Sequence, residues 1–329
     1  MIELFRAPNF DFIGKRRWAY VVSVVFILIG LTSLVVKGGL RYDVDFAGGT
    51  LVQVRFEQAP TTDRIRSALA RIGLGDAIIQ RFGDPNEFIF RMPLSESAAP
   101  TDITRRMQQA LSGEAGLGKF EIRRVEFVGP QVGRDLQLQA VYAVIAGLVG
   151  ILIYIAIRFD LKGGIAAVVA VFHDVLVSVG ALSLTDREFS LPVLAAVLTI
   201  IGYSVNDTIV AYDRLRENRG RAAQRKGGRF ADQINAAINQ TLSRTVLTAM
   251  TTFMATAILL FFGGKVLEDF AFALFVGVIT GTYSTIYIAG ALIVDWTSYV
   301  ERRHPGGAGP GAGKKAVAKP GERRVKSHV

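Results

Sequence analysis

Six apolar runs, each close to the roughly 20 residues that an α-helix needs to cross a bilayer, constrain this chain more than any other feature. They occupy residues 18–36, 136–157, 163–184, 191–212, 246–262 and 270–296. Hydrophobic residues make up 50% of the sequence and the mean hydropathy is +0.35, values that together with the runs indicate an integral membrane protein. The sequence therefore predicts a polytopic α-helical membrane protein with six transmembrane helices.

The distribution of basic residues predicts which side of the membrane each loop occupies. The basic residues of one side lie at 15–17, at 158 and 162, and across 214–229. The opposite short loops hold Arg187 and Lys265. Because short cytoplasmic loops carry the excess of Lys and Arg, we expect a multi-pass protein of the cytoplasmic (inner) membrane with both termini cytoplasmic. The first run lacks a small-residue cleavage site, so it is interpreted as an uncleaved span.

The segment between the first two runs predicts a folded outer domain. Alternating or β-rich patterns predict strands at 51–56, 77–82, 87–92 and 120–128, and helical patterns lie at 61–72 and 101–111. The order β-α-β-β-α-β is that of a ferredoxin-like unit, which predicts one α+β ferredoxin-like extracytoplasmic domain. Such folds host many functions, so the pattern predicts architecture alone.

These boundaries divide the chain into five regions. They are a cytoplasmic N-terminus at 1–17, transmembrane helix 1 at 18–36, the extracytoplasmic domain at 37–134, a five-helix transmembrane domain at 135–300 and a tail at 301–329. From Pro305 the tail is rich in Gly, Pro, Ala and Lys, which predicts a disordered, basic cytoplasmic segment. Its charge could reach anionic membrane lipid or ribosomal RNA, but a solvated tail is favoured and no specific nucleic acid is expected.

Asp207 is an acidic residue inside the fourth apolar run. At the helical rise per residue, it lies ~10 Å inside the interface that Asp213 and Arg214 mark. A charged side chain at mid-membrane costs roughly 2.5–3.5 kcal/mol or more. The residue is therefore interpreted as a proton carrier, an ion ligand or half of a buried pair. The alternative is an acid that only fixes helix packing.

Two further ionisable residues accompany Asp207 in the predicted spans. Asp174 lies near the middle of the third run, and Arg244 lies at the start of the fifth. Because the fourth and fifth runs are joined on the inner side, Asp207 and Arg244 enter at the same membrane face and can pair. The predicted proton-transport residues are Asp207, Arg244 and Asp174, with Ser204, Asn206, Thr208 and Thr245 as supporting polar residues. The alternative is a static buried ion pair.

Metal and enzyme chemistry are disfavoured by the residues available. The chain has no cysteine and three histidines, of which two lie in the tail, so no thiolate or multi-histidine metal site and no prosthetic cofactor are expected. An intramembrane serine hydrolase built on Ser204 and His173 fails at Asn206, where the G-x-S-x-G pattern needs glycine. Asp174 also adjoins His173 in sequence instead of facing it from elsewhere. We expect a protein that is not an enzyme.

Motifs spread along the chain resemble those of the SecF family of protein-export membrane proteins. They are DVDFAGGT at 43–50, VGPQVG at 128–133, HD at 173–174, GYSVNDTIV at 202–210, DRLREN at 213–218, QTLSRT at 240–245, TT at 251–252, GG at 263–264 and GTYS at 281–284. The resemblance covers nearly the whole chain up to about residue 300. One departure is Ala47, which stands where the family commonly has Thr.

The resemblance implies a half-transporter of the resistance-nodulation-division type. Such a subunit pairs with SecD, works with the SecYEG channel and YajC on a translocating unfolded polypeptide, and uses the proton-motive force. Carried over to this sequence, Asp207 resembles the essential transport carboxylate, Arg244 the essential arginine, and Asp174 a supporting member. The small residues Gly277 and Gly281 would supply the face that packs against SecD. The alternatives are half of another proton-driven exporter of lipid or small molecules, or a passive translocon scaffold.

Overall fold

A computed structural model describes residue 5 and residues 8–75, 77–92, 100–114, 117–222, 229–264 and 266–303. The predicted disordered tail from residue 304 onward, Lys265 and residues 223–228 of the basic loop between the fourth and fifth runs lie outside the described residues. The helices are α1 Arg16–Val36, α2 Val44–Ala47, α3 Thr62–Ala70, α4 Pro100–Ser112, α5 Pro130–Arg158, α6 Leu161–Leu184, α7 Leu191–Ala222, α8 Phe230–Phe262, α9 Glu268–Ser284 and α10 Gly290–Arg303. The strands are β1 Gly49–Phe56, β2 Ile78–Arg81, β3 Glu87–Met92 and β4 Phe120–Val128.

Within the described residues, 6 helical segments are long and apolar enough to cross a membrane, the number predicted from the sequence. The sixth consists of α9 and α10 joined by a π-helical turn, Thr285–Ala289. α5 begins at Pro130, inside the segment assigned to the outer domain, because proline suits the first position of a helix. Some helices continue past the predicted apolar runs into polar residues, as α7 does by extending to Ala222.

α8 begins at Phe230, before the fifth apolar run, and its polar first turns have partners elsewhere in the chain. The side chain of Asn239 accepts a hydrogen bond from the backbone N–H of Phe10 at 2.8 Å, and Asn235 accepts one from Phe12 at 2.9 Å. These contacts bind the segment before α1 to the polar turns of α8. A sequence pattern based on apolar runs does not detect this packing, because the residues that make it are polar.

The outer domain has the predicted ferredoxin-like topology. Its sheet has the strand order β2-β3-β1-β4 with every neighbouring pair antiparallel, as a split β-α-β unit requires. Val54 of β1 and Phe90 of β3 are fully buried on the face that α3 and α4 cover with Ile65 and Met107. The short helix α2 was not predicted. It begins where the Asp43 side chain accepts a hydrogen bond from the N–H of Val44 at 2.7 Å.

The uncovered face of the sheet points toward the loop between α6 and α7. Arg91 of β3 forms ion pairs with Asp43 (Nε to Oδ1, 3.0 Å) and with Glu188 of that loop (Nη1 to Oε2, 2.9 Å). Arg41 also pairs with Glu188, at 3.3 Å. The backbone joins the same two segments, since Phe189 donates to Arg41 O at 2.7 Å and Asp43 donates to Phe189 O at 3.1 Å. We call the four charged residues Arg41, Asp43, Arg91 and Glu188 the outer joint.

A second attachment of the outer domain involves α5. Gln137 donates from Nε2 to the backbone oxygen of Phe46 in α2 at 2.7 Å. A Cβ on Gly133 would lie 2.8 Å from that same oxygen, so only glycine permits this approach of α5 to α2. The outer domain is therefore bound to the helical domain at both α5 and the α6–α7 loop.

Small residues pack the membrane helices against one another inside this chain. Gly30 of α1 and Gly180 of α6 meet backbone to backbone, because a Cβ on either would lie 2.8 Å from the other's Cα. The assignment of Gly277 and Gly281 to a face for a partner subunit is wrong. A Cβ on Gly277 would lie 2.3 Å from Ile200 of α7, and one on Gly281 would lie 3.2 Å from Cβ of Ser204, so both glycines serve the α7–α9 contact.

Candidate functional site

Asp174 of α6 is the most enclosed carboxyl of the described membrane helices, with no solvent exposure. Its Oδ2 accepts hydrogen bonds from Ser204 of α7 and from Ser284 of α9, each at 2.6 Å. Its Oδ1 lies 2.9 Å from Nδ1 of His173. A buried carboxyl needs such donors to offset the loss of water. Three membrane helices thus converge on one side chain, a more central place than the supporting role expected of Asp174.

A hydroxyl cluster continues from Asp174 between α7 and the last membrane helix. The Oγ1 atoms of Thr208 and Thr285 lie 3.2 Å apart, and Thr285 donates to the backbone oxygen of Ser204 at 3.4 Å. Ser284 ends α9 and Thr285 begins the π turn, so two consecutive residues reach polar partners in the interior. π turns are rare and often occur at functional sites, because they alter which side chains face inward.

Asp207 of α7 is 3% exposed, and its Oδ2 atom has no hydrogen-bond partner in the part of the chain that the structure describes. This arrangement contrasts with Asp174, whose two oxygens are both occupied. A buried polar atom without a partner in a native fold commonly has a functional explanation. Asp207 therefore has an oxygen available for a proton or for a partner that approaches during movement.

Arg244 of α8 is exposed and lines an open cleft of about 1240 Å³ between α7 and α8. Asn206 and Gln240 line the same cleft. Arg244 is near enough for its charge to act on Asp207, but among the described residues no ion pair joins them. The structure thus brings the two residues to one region without pairing them.

The remaining predicted residues occupy different positions. Thr245 is buried at 3% exposure. The hydroxyls that follow it on α8 bond within their own helix: Thr248 donates to Arg244 O, and Thr252 to Thr248 O, each at 3.0 Å. Such back-bonding satisfies a hydroxyl without a neighbouring helix. Ser204 donates to Asp174 instead of to His173, so the described contacts do not form the serine–histidine pair of a hydrolase.

Two contributors to the site were given no role in the sequence analysis. Thr285 was not singled out, although an adjacent Ser-Thr pair in an apolar run is a detectable signal. The ring of Tyr283 stacks on His173 with 6.0 Å between centroids, and its hydroxyl donates to Ala19 O of α1 at 2.7 Å. The polar cluster around Asp174 therefore extends to the first membrane helix.

The outer joint lies beside a polar cavity of about 590 Å³ between the sheet and the α6–α7 loop. The side chains of Arg91 and Glu188 are 16% and 12% exposed. Burial raises the pKa of the Glu188 carboxyl above its ordinary value, an effect that Arg91 and Arg41 oppose and that Asp43 and Asp269 reinforce. Glu188 lies three residues before α7 begins at Leu191, so the joint connects the sheet to the helix that carries Asp207.

Comparison with known proteins reveals extensive similarity. The C-terminal region of the protein export membrane proteins SecD/SecF matches residues 108–299, and the SecD/SecF GG motif matches residues 33–60. The protein translocase subunit SecF of Desulfurispirillum indicum is 45% identical over 88% of this chain and 93% of its own length. The corresponding subunit of Pseudomonas aeruginosa is 40% identical over 86% of this chain and 90% of its own.

Solved structures show the same similarity. The crystal structure of SecDF, a translocon-associated membrane protein from Thermus thermophilus, superposes with a TM-score of 0.76 at 39% identity and covers 88% of this chain. A structure of SecDF in a super-membrane-facing form gives a TM-score of 0.68 at 38% identity over 92% of this chain. The chain spans only 39% of the first of these structures and 40% of the second.

Proposed function

Because this chain belongs to the SecD/SecF family of protein export membrane proteins, we propose that it is an accessory subunit of the Sec protein translocase that uses the proton-motive force to drive late protein export. It acts in the cytoplasmic membrane with both termini cytoplasmic. The basic residues Arg158, Arg214 and Arg216 support this orientation, since they line the cleft at one end of the bundle.

The observation that carries the proton-driven part of the proposal is the unpartnered Oδ2 of Asp207 inside a membrane helix. A carboxyl with a vacant oxygen takes up or releases a proton without first breaking a hydrogen bond. The open cleft that Arg244 lines reaches Asn206, the residue next to Asp207. An arginine that moved toward Asp207 would stabilise the carboxylate, and its withdrawal would favour the neutral acid. Helix movement and proton transfer are coupled in this way.

The outer joint supplies a mechanical connection for the same proposal. Arg91 of the sheet pairs with Glu188 at 2.9 Å, and the backbone continues from Glu188 directly into α7. A displacement of α7 that accompanies a change at Asp207 would therefore move the loop that supports the outer domain. The substrate of that movement is a translocating unfolded polypeptide.

The partners that fit the proposal are a SecD half, the SecYEG channel and YajC. The length of the SecDF chains, of which this chain covers 39% and 40%, supports a second half of similar kind. Apolar side chains of α5 and α8 remain exposed in the isolated chain, among them Ile153 at 54% and Ile258 at 59%. Exposed apolar faces on two membrane helices suit contact with lipid or with another helical subunit.

The test is export of a secreted precursor into inverted membrane vesicles, with and without a proton gradient. Asp207→Asn keeps the shape of the side chain but cannot ionise, so we expect normal assembly and the loss of gradient-driven stimulation. ATP-driven translocation should persist. The matched control is Asp232→Asn, the same change at an exposed position near the start of α8. If the gradient stimulates the Asp207 variant as it stimulates the unaltered protein, the proposal is wrong and a passive scaffold is favoured.

A further inference from the structure

A small pocket lies where the α5–α6 loop meets the facing ends of α7 and α8, beside the cleft that Arg244 lines, and Arg216 lines both. It has a volume of about 200 Å³, which exceeds the ~30 Å³ that one water occupies in the liquid. Phe159 and Asp160 of the α5–α6 loop, Tyr212 and Arg216 of α7, and Phe230 of α8 line it. Tyr212 ends the fourth apolar run and is followed by Asp213 and Arg214, so the pocket lies at the level of lipid headgroups.

The ring of Tyr212 forms part of the pocket wall. The residue is 6% exposed, and its hydroxyl has no hydrogen-bond partner in the described part of the chain. Its ring packs edge-on against Phe159 with 5.9 Å between centroids, and Gly163 leaves the space beside it. Buried tyrosine hydroxyls normally find a partner. The Tyr212 hydroxyl is itself out of reach of solvent, so the part of this residue that a ligand in the pocket contacts is the ring.

Two arginines supply positive charge to the same pocket. Arg216 and Arg219 are exposed, and neither forms an ion pair with a described residue. The guanidinium of Arg219 lies over the ring of Phe230 at 4.8 Å, which holds it in place at the wall. The one acid of the lining, Asp160, already accepts a hydrogen bond from Gly163 N as the cap of α6. The lining therefore has a net positive charge and two guanidinium donors.

From these contacts we infer that the pocket binds the phosphate headgroup of an anionic phospholipid. The phosphate would accept from Arg216 and Arg219, while the aromatic rings contact the glycerol region. Apolar surface for the acyl chains lies on the same segment, because Ile157 and Leu161, on either side of the α5–α6 loop, are 81% and 60% exposed. A basic, aromatic-lined pocket between helices at the membrane surface has the chemistry that recognises such a headgroup.

The test uses the full chain, purified in mild detergent, stripped of lipid and then mixed with phosphatidylglycerol or phosphatidylcholine. Native mass spectrometry measures the lipid retained. We expect retention of phosphatidylglycerol and a loss of affinity of roughly 30-fold in the double variant Arg216→Gln/Arg219→Gln.

The matched control is Arg302→Gln/Arg303→Gln, which removes the same charge from the end of α10. Arg303 likewise lies over an aromatic ring, that of Tyr299 at 4.7 Å, but does not line the pocket. The inference is overturned if this control loses as much lipid as the pocket variant, if phosphatidylcholine binds equally, or if inorganic phosphate displaces the lipid. The first result means diffuse surface charge and the last means a soluble anion site. Lipid retention is measured without export, so this inference does not depend on the proposed function.

Discussion

Arg91 of β3 lies 2.9 Å from Glu188 of the α6–α7 loop, with Nη1 facing Oε2, and this pair joins the uncovered face of the sheet to the start of the helix that bears Asp207. Removing the charge of one partner of this pair would have a different effect from removing the charge of the other. Without Arg91, both Glu188 and Asp43 lose their closest cation. Without the charge of Glu188, Arg91 keeps Asp43.

The asymmetry predicts unequal effects of two neutral substitutions. Arg91→Gln should lower stability by about 1–3 kcal/mol, because Asp43 loses the cation it pairs with and Glu188 keeps only Arg41. Glu188→Gln should cost much less, since burial already opposes its charge. Thermal unfolding of the purified chain in detergent measures both. Arg91→Gln should also cost less in the Glu188→Gln background than alone, and equal costs in both backgrounds would show that the two residues do not interact.

The same joint predicts a pH dependence of stability. Glu188 has an ordinary pKa of 4.5 and a raised one when folded, so as pH rises from about 4.5 the unfolded state loses its proton first. The unfolded state then binds fewer protons than the folded state, and stability falls until the pH passes the raised pKa. Glu188→Gln should flatten this decline in melting temperature. Asp45, whose pKa burial also raises, remains in the variant and keeps part of the slope.

A result in which Glu188→Gln melts with an unchanged pH profile would exclude Glu188 as the titrating group. Below about pH 4, Asp186 changes the pH dependence of stability in the opposite direction. The hydrogen bond from Lys37, together with its charge, lowers the pKa of the exposed Asp186, so its stabilising effect is lost as pH falls. The pH profiles of the unaltered protein and of Glu188→Gln are therefore compared above that range.

The two serines on Asp174 predict a non-additive loss of stability. Ser204→Ala or Ser284→Ala alone removes one donor from Oδ2 and should cost about 1 kcal/mol, because the other donor remains. The double variant leaves Oδ2 without either and should cost more than the sum. Ser178→Ala is the control, since this buried serine of α6 has no hydrogen-bond partner among the described residues. Strict additivity in thermal unfolding would contradict a shared acceptor.

Gly277 and Gly202 provide a matched pair of helix glycines. A Cβ at Gly277 would collide with Ile200 at 2.3 Å, whereas a Cβ at Gly202 would meet no described atom within 4 Å apart from its chain neighbours and the backbone of its own helix turn. Gly277→Ala should destabilise the purified chain by about 1–3 kcal/mol through overpacking. Gly202→Ala should stabilise it slightly, because alanine favours helix. Copurification with a SecD subunit is the second measurement, and a loss confined to Gly202→Ala would place the partner surface on that face of α7.

The outer domain could be predicted from the sequence because its signals are local. Strand alternation and helical periodicity each depend on neighbouring residues, and the strands at 87–92 and 120–128 have the predicted bounds. The membrane site was predicted only in part. Asp174 gains its donors from residues 30 and 110 positions away, which no local pattern encodes. The rotation of a helix that is apolar all round is also undetermined by sequence, so the partner of Gly277 was assigned wrongly.

The π turn at Thr285–Ala289 sets the phase of the last membrane helix. One residue of α-helix corresponds to a rotation of about 100°, so the added residue turns everything after it relative to α9. Beyond the turn, Asp295 meets Arg16 of α1 at 2.9 Å, while before it Ser284 meets Asp174. In a regular α-helix with the same sequence, only one of these two contacts could form, because the other side chain would face a different direction. The two halves of this helix are thus oriented independently, the first by the buried carboxyl and the second by the first membrane helix.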